Sequence, residues 1–264
     1  MTDFNRLVKY VERETGFATS HYDDSYLKRR VSARMRRTGT EEYAEYRSLL
    51  EDSAEERAEL VDALSINVTS FFRNPGVWER VREILRALTR DRRRVKLWSA
   101  ACSDGREPYT MAMLALEDPE IDASKIEITA TDINAAILET ARQGVYWSTQ
   151  TTDIEEQVNA IGDYSDYFEQ DGDRFEVTEE VRSMVTFEQH DLIRGKPKSD
   201  FDLVVCRNLF IYIDTEYKLP ILRTVRESLN DDGYLVIGKT ETLPDELKVD
   251  FDALDKRLRV YRLT

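Results

Sequence analysis

The chain has 264 residues, of which 41% are hydrophobic and 34% charged, and its formal net charge is −14 at pH 7. It contains no apolar run of about 18 residues and begins with an amphipathic, charged stretch, so neither a membrane-spanning helix nor a secretory signal is expected. The acidic balance argues against general binding to nucleic acids or anionic membranes, because both would repel the molecule. We expect a soluble cytoplasmic protein, and the acidic, lysine-poor composition suggests the hypothesis of a salt-rich cytoplasm.

Residues 1 to about 90 have the periodicity of helices. Apolar residues recur with the i, i+3, i+4, i+7 spacing in two stretches, Phe4, Leu7, Val8 and Val11, then Tyr43, Tyr46, Leu49 and Leu50. Thr15-Gly16 and Thr38-Gly39 are predicted helix ends, and a longer helix is predicted from Pro75 to Leu88. We therefore predict an N-terminal helical domain over 1–74, followed by a connecting helix and linker over 75–94.

From Val95 onward, short apolar runs alternate with helical segments. The predicted strands are 95–102, 126–132, 184–192, 201–213 and 233–241, and the predicted helices are 107–117, 133–142 and 215–229. This alternation is typical of βαβ units and predicts an α/β domain over 95–264 with a doubly wound, mostly parallel sheet. The tail KRLRVYRL predicts an antiparallel edge strand. The segment 146–185 is predicted to be a small inserted subdomain with a hairpin through Asp171-Gly172.

The stretch LWSAACSDGREPYT, residues 97–110, predicts a strand, a turn with one glycine and a helix. Gly105 would let the backbone approach a ligand closely, and Pro108 in the first helical turn would leave free N–H groups facing it. The turn matches neither the G-x-G-x-x-G dinucleotide pattern nor the G-x-x-x-x-G-K-[ST] phosphate loop. It lies at the carboxyl end of a predicted strand, where doubly wound sheets bind ligands.

Polar residues also end the other predicted strands. Asp132 closes the second strand, where it is placed either to bind ribose hydroxyls or to cap the following helix. Asp191 and Leu192 close the third, where a polar and an apolar group could flank an adenine. In the fourth, Arg207 and Asn208 interrupt an apolar run, so Arg207 must reach an acid or the exposed strand end.

Three further features complete the candidate set. Tyr212 follows the fourth strand, where it is either a cleft residue or a core aromatic. Polar residues alternate with apolar ones in LSINVTSFFRNPGVW, as Asn67, Thr69 and Arg73, in what is either an ordinary linker or a lid over the cleft. Cys102 and Cys206 lie in apolar runs and are predicted to be buried, reduced thiols.

Together these segments resemble the chemotaxis receptor methyltransferases, the CheR family. The resemblance rests on LSINVTSFFRNP, LWSAACSDGREPYTMAM, ATDINAAILETARQGVY, VTFEQHDL, FDLVVCRNLFIYI and GYLVIGKTETL, and it extends to TGF, YLKRRVSARM and EEYAEYRSLL in the helical part. It implies a class I methyltransferase-like fold. It also implies methyl transfer from S-adenosylmethionine to glutamate side chains of chemotaxis receptors, which leaves S-adenosylhomocysteine. No metal is implied.

The resemblance implies a role for each matched position. Asn67, Thr69 and Arg73 would approach S-adenosylmethionine from the interdomain segment, Glu107 would hold its amino group, and Asp132 would bind its ribose. Asp191 and Leu192 would flank the adenine, and Arg207, Asn208 and Tyr212 would line the cleft where the methyl group is presented. Arg73 and Tyr212 are the candidate catalytic residues, because an arginine fork and a phenol both suit an incoming carboxylate.

Two positions depart from the family pattern, which has threonine and glutamate where this chain has Asp104 and Arg106. Arg106 would oppose the helix dipole beside a cationic cofactor, so we expect it to turn outward or to pair with Asp104. The basic stretch from Lys28 to Arg37 is a candidate docking surface for acidic receptor helices, through Arg30, Arg34 and Arg37, and otherwise a solvated helix face. Such docking would associate the protein with membrane-bound receptor arrays.

Two alternatives differ from glutamate methylation. One is a class I methyltransferase that acts on another protein or a small molecule. The other is a signalling module that binds S-adenosylmethionine without transferring its methyl group, since the altered turn puts cofactor affinity in question.

Overall fold

The computed structural model describes residues 2–64 and 69–264. The chain forms two compact units, the first from Met1–Ile66 with Leu209–Pro220, the second from Asn67–Asn208 with Ile221–Thr264. The division at residues 74 and 94 that we expect from the sequence remains a prediction about domains. The compact units themselves separate between Ile66 and Asn67, and a short later segment joins the first of them.

The first unit contains the helices α1 (Asp3–Thr15), α2 (Asp24–Thr38), α3 (Tyr43–Asp52) and α4 (Ala54–Leu64). Gly16 and Gly39 follow α1 and α2 with φ angles of 74° and 73°, which confirms both predicted helix ends. Glycine adopts this left-handed conformation without a steric penalty. The predicted apolar faces supply the core, with Phe4, Leu7, Val11, Tyr46 and Leu50 buried.

A buried ion pair connects two of these helices. The guanidinium of Arg34 in α2 donates to both carboxylate oxygens of Glu56 in α4, at 3.0 and 2.5 Å, and also to Glu59 at 3.0 Å. The Tyr46 hydroxyl donates to the same Glu56 at 2.6 Å. Arg34 is buried. The expectation that Arg34 belongs to an accessible docking surface is therefore wrong, because its charge is already used inside the helical unit.

The second unit is built on a seven-stranded sheet in the order β6-β2-β1-β7-β8-β10-β9. Its strands are β1 (Val95–Ala100), β2 (Ile126–Asp132), β6 (Val185–Gln189), β7 (Phe201–Cys206), β8 (Leu229–Ile237), β9 (Phe251–Asp255) and β10 (Val260–Leu263). The strands from β6 to β8 pair in parallel, and β10 and β9 add an antiparallel edge, as the tail predicts. The strand order reverses direction between β1 and β7, which places the ligand crevice at their carboxyl ends.

Helices cover this sheet. They are α5 (Pro75–Asp91), α6 (Arg106–Glu117), α7 (Ala135–Gln143), α8 (Ile154–Val158), α9 (Glu179–Ser183), α10 (Thr215–Ser228) and α11 (Asp245–Lys248). Only the part of α10 from Ile221 onward belongs to the second unit. Val77, Trp78, Val81 and Leu85 form the buried face of α5 and belong to the core of the second unit. Cys102 and Cys206 are buried free thiols, as predicted.

A small antiparallel sheet in the order β3-β5-β4 occupies the predicted insertion. Its strands are β3 (Val145–Trp147), β4 (Phe168–Asp171) and β5 (Arg174–Val177), and the β4–β5 hairpin turns at Gly172, where φ is 57°. The predicted hairpin is confirmed. Tyr146, Phe168 and Phe175 are buried in the same core as the large sheet, so the insertion is packed onto the second unit.

The fourth predicted strand is too long at its carboxyl end. We expect a strand from 201 to 213, whereas β7 ends at Cys206 and the following residues form turns. Asn208 adopts a left-handed φ of 61°, which is far from the extended backbone of a regular strand. The apolar residues of 209–213 mislead the pattern because they belong to a turn of the other unit, where Phe210 and Ile213 are buried and Ile211 is exposed.

Candidate active site

The turn after β1 has an alternating left-handed backbone. Ala101, Ser103 and Gly105 have φ angles of 61°, 53° and 90°. Only the last is glycine, and a Cβ there would lie 3.0 Å from the Cβ of Ala141 and 3.2 Å from the ring of Phe187. Gly105 is thus required by packing as well as by conformation, while Ala101 and Ser103 carry backbone strain of a kind that is common at functional sites.

Glu107, in the first turn of α6, lies in a largely enclosed polar pocket. Its carboxylate accepts a hydrogen bond from Ser99 of β1 at 2.9 Å and pairs with Arg207 at 3.5 Å. The side chains of Glu107 and Arg207 are only 12% and 2% exposed. Burial raises the pKa of Glu107 to about 7, although Arg207 and Ser99 oppose that shift. A further cation bound next to Glu107 would therefore favour the ionised form of its carboxyl group.

Asp132 ends β2 beside the same turn. Its two carboxylate oxygens accept from the backbone N–H groups of Ser103 at 2.9 Å and Asn134 at 3.0 Å. The N-cap of α7 is Asn134, whose side chain accepts from Ala136 and Ile137. The helix-capping alternative for Asp132 is therefore wrong. Burial raises the pKa of Asp132, and the two N–H donors lower it. Asp132 braces the turn, and its role toward a ribose remains a proposal.

The carboxyl end of β6 adjoins that of β2. The His190 N–H donates to the Asp132 carbonyl at 3.0 Å. Asp191 accepts from the N–H groups of Ile193 and Arg194 at 2.8 and 3.1 Å, and Leu192 beside it is buried. The predicted strand over 184–192 is too long, because β6 ends at Gln189 and Asp191 and Leu192 lie just beyond it. Their contact with an adenine remains a proposal.

Arg207 follows β7 and reaches an acid, as its burial requires. Besides Glu107, its guanidinium donates to the Arg73 carbonyl at 2.9 Å and to the Asn74 side chain at 2.8 Å, and it lies 5.3 Å from the Trp78 ring. Burial lowers its pKa, and Glu107 opposes that shift. The prediction that Arg207 reaches an acid is thus confirmed, and its place in the cleft remains a proposal. Arg207 joins the turn after β1 to the segment that contains Arg73.

The remaining candidate residues of the site do not all belong to the same compact unit. The Thr69 carbonyl accepts from Arg106 in the second unit, and the Asn208 N–H donates to Glu241 at 3.1 Å. Tyr212 belongs to the first unit, where its ring lies 5.0 Å from that of Tyr26 and its carbonyl accepts from Asp23. Asn67 lies outside the described residues.

Arg106 does not turn outward. Its guanidinium lies 3.3 Å from the Asp104 carboxylate and 5.0 Å from the Tyr146 ring centre, and its side chain is 15% exposed. The predicted pairing with Asp104 is therefore confirmed, and the predicted alternative of an outward side chain is wrong. The aromatic ring provides a favourable surface for a cation, which compensates in part for the helix dipole.

Sequence reasoning missed three residues that support the site. The Ser99 hydroxyl donates to Glu107, and the Ser103 N–H donates to Asp132. The buried hydroxyl of Ser103 has no hydrogen-bond partner within the described ranges. Glu241, 4% exposed, accepts from the N–H groups of Asn208 and Gly238, so it connects the ends of β7 and β8. A serine inside the apolar run of β1 is a signal that could have identified Ser99.

Residues 2–64 and 69–264 contain neither a metal-ligand cluster nor a membrane-spanning helix. Within these ranges no cluster of three or more histidine, cysteine or acidic side chains is arranged to hold a metal ion. None of the helices described there is long and apolar enough to cross a membrane.

The mostly parallel sheet, with its reversal between β1 and β7 and helices around it, is the fold of the class I methyltransferases. The description "CheR methyltransferase, SAM binding domain" matches residues 67–260, and "CheR methyltransferase, all-alpha domain" matches residues 2–65. The chain belongs to the CheR methyltransferase family. It is accordingly an S-adenosylmethionine-dependent methyltransferase, in a family whose enzymes methylate protein glutamate. The predicted fold class, family and cofactor are thereby confirmed.

Curated relatives align over nearly the whole chain. A chemotaxis protein methyltransferase of Listeria monocytogenes is 32% identical over 243 residues, which cover 91% of this chain and 90% of that protein. One from Borreliella burgdorferi is 31% identical over 263 residues, covering 94% and 91%. A probable chemotaxis protein methyltransferase of Rhizobium etli is 31% identical over 259 residues, covering 95% and 96%.

Proposed function

We propose that this protein methylates glutamate side chains of chemotaxis receptors and so forms glutamate methyl esters. The observation that carries the proposal is the pair of acids at the carboxyl ends of adjacent strands, Glu107 against Ser99 and Arg207, and Asp132 against the N–H of Ser103. This arrangement suits a ligand with a cation at one end and a ribose at the other. The relatives named as chemotaxis protein methyltransferases support an acceptor in chemotaxis.

In this proposal the described residues of the second unit hold S-adenosylmethionine in an extended pose. Glu107 binds the ammonium group, the first turn of α6 favours the carboxylate, and Asp132 binds the ribose hydroxyls. The adenine lies between Asp191 and Leu192. The side chains of Thr69, Arg73 and Asn208, together with Asn67 outside the described residues, complete the site, and Arg207 keeps Glu107 in position.

When bound, S-adenosylmethionine would supply a methyl group on its sulfonium sulfur. The acceptor carboxylate oxygen would form a bond to the methyl carbon in line with the carbon–sulfur bond, which breaks, and S-adenosylhomocysteine would leave with the electron pair of that bond. No general base is needed, because a glutamate side chain with an ordinary pKa near 4.3 is already ionised at neutral pH. The chain's contribution is to align donor and acceptor and to exclude water, an effect worth up to roughly 7–11 kcal/mol in well-oriented systems. Arg73 and Tyr212 are the proposed carboxylate-orienting groups.

The acceptor is tested by incubating the protein with S-adenosylmethionine labelled in its methyl group and with purified receptor cytoplasmic domains. The expected product is labelled receptor that releases volatile methanol in alkali, as glutamate methyl esters do. Glu107→Gln is the matched control and should leave the receptor unlabelled. Alkali-stable label would indicate a different acceptor group, and cofactor binding without transfer would indicate a non-catalytic module; either result contradicts the proposal.

A further inference from the structure

Residues 69–74 form neither helix nor strand, and side chains from elsewhere in the second unit hold their peptide groups. Arg106 donates to the Thr69 carbonyl at 3.1 Å, and the Phe71 and Phe72 N–H groups donate to Gln157 at 3.0 Å and Thr110 at 3.1 Å. The Arg73 carbonyl accepts from Arg207 at 2.9 Å and from the Trp78 indole N–H at 3.1 Å. Because the segment carries the proposed cofactor contacts Thr69 and Arg73, the groups that hold it also position those contacts.

Arg106 is the member of this set that belongs to the cofactor turn itself. Its guanidinium lies 3.3 Å from the Asp104 carboxylate, and ring centres of Tyr146 and Phe71 lie 5.0 and 5.9 Å away. The Tyr146 hydroxyl donates to the Asp104 carbonyl at 2.6 Å. The guanidinium is thus held on several sides before any ligand binds, so its Nη1 donates to the Thr69 carbonyl at little entropic cost.

We propose that Arg106, neutralised by Asp104, is a positioning residue that fastens residues 69–72 to the cofactor turn and thereby sets the affinity for S-adenosylmethionine. Arg106 contacts the Thr69 carbonyl and need not touch the cofactor. Its charge is balanced by Asp104, which explains how a cation is tolerated next to a sulfonium and an ammonium group. The inference rests on the proposed contacts of Thr69 and Arg73.

Asp104 and Arg106 stand two positions apart and form an acid–base pair in the turn. An acidic side chain at position 106 could not donate to the Thr69 carbonyl, so the hydrogen bond depends on a donor at this position. Because the two side chains pair, they must be tested together.

The test is the dissociation constant for S-adenosylmethionine, measured by calorimetry on the full chain without an acceptor. In Asp104→Asn/Arg106→Met, which removes both charges together, we expect the constant to rise about tenfold, equivalent to ~1.4 kcal/mol. Arg106→Lys keeps the charge without the planar fork and should give a smaller rise. Amide hydrogen exchange at Phe71 and Phe72 should accelerate in the double variant of the ligand-free protein.

Arg82→Met is the matched control. Arg82 has a 13% exposed side chain and pairs with Glu117 at the opposite end of α6, far along the chain from the turn. It should lower stability while leaving cofactor affinity unchanged.

The inference is overturned if the double variant binds within about twofold of wild type, or if Arg82→Met weakens binding equally. If the double variant fails to fold, Arg106→Lys takes its place, and binding within about twofold of wild type again overturns the inference. Wild-type protein that binds cofactor yet methylates no receptor would contradict only the proposed function.

Discussion

Glu107 has an unusual acidity for a carboxyl group, and this makes cofactor binding depend on pH. Its pKa lies near 7 in the free protein instead of the ordinary 4.5, chiefly because the side chain is removed from water. A cationic ammonium group favours the ionised form, so binding releases a proton wherever the free carboxyl is protonated. The affinity should therefore decline as the pH falls below about 7.

We predict that the dissociation constant for S-adenosylmethionine rises by nearly tenfold for each pH unit below about 6.5. Calorimetry from about pH 5.5 to about pH 8.5 measures this, and Glu107→Gln should bind weakly with no such slope. An identical slope in Glu107→Gln would assign the titration to another group. The pH dependence of folding stability has the opposite sign from that of an acid whose pKa is lowered by folding. Because the pKa of Glu107 is raised, this side chain stabilises the fold most below pH 4.5 and progressively less toward pH 7.

Gly105 and Ala101 both have a left-handed backbone in the same turn. We expect substitutions at the two positions to change the free energy of unfolding by different amounts. Gly105→Ala should cost at least about 2 kcal/mol, since a Cβ would collide with Ala141, Phe187 and Tyr109 as well as strain the backbone. Ala101→Gly relieves strain but loosens the unfolded chain, so its effect should stay within about 1 kcal/mol. Urea unfolding of both variants measures the difference. Equal stabilities would show that neither the strain nor the collision matters.

Arg73 and Tyr212 are predicted to act on the acceptor carboxylate. Tyr212→Phe should lower kcat by about tenfold or more and leave the cofactor affinity unchanged, because only the donating hydroxyl is lost. Arg73→Ala should lower kcat at least as much and weaken cofactor binding as well. Initial rates with saturating receptor domain measure both. Tyr43→Phe, another tyrosine of the first unit, is the control, and near-wild-type rates in both variants would exclude these residues from the mechanism.

The helices α2 and α4 depend on one buried ion pair. Removing Arg34 leaves Glu56 buried without its cation, so Arg34→Ala should cost about 3–5 kcal/mol of the free energy of unfolding. Arg37→Ala, on the exposed face of the same helix, should change it by less than about 0.5 kcal/mol. Denaturant unfolding followed by circular dichroism compares them. Similar midpoints would mean that water replaces Arg34 without penalty.

The ends of the central strands are connected by side chains that accept backbone N–H groups. Asp132 joins the end of β2 to the turn after β1, and Glu241 joins the turns after β7 and β8. Buried N–H groups without partners cost about 1–3 kcal/mol each, so these carboxylates stabilise conformations that the local sequence would not adopt alone. Neighbouring loops are thereby fixed at one edge of the sheet, where the proposed cofactor site lies.

The protein is acidic overall, which makes its few exposed basic clusters candidates for docking. Of the stretch 28–37, Lys28, Arg29, Arg36 and Arg37 are exposed. Arg36→Glu/Arg37→Glu should raise KM for an acidic receptor domain about three- to tenfold at low salt, and less at high salt. Cofactor affinity should not change. Arg13→Glu, an exposed arginine of α1, is the control, and an unchanged KM in the double variant would exclude this surface.

The sequence alone determined the order of helices and strands, the helix-ending glycines, the hairpin of the insertion and the family. These depend on periodicity, on local backbone preference and on motifs that are read along the chain. Only the tertiary structure decided that Arg34 is internal, that β7 stops at Cys206, that Asn134 caps α7, and that Glu107 meets Arg207. Each of these depends on which distant residue fills the neighbouring space, and hence on desolvation and pairing that no local pattern encodes.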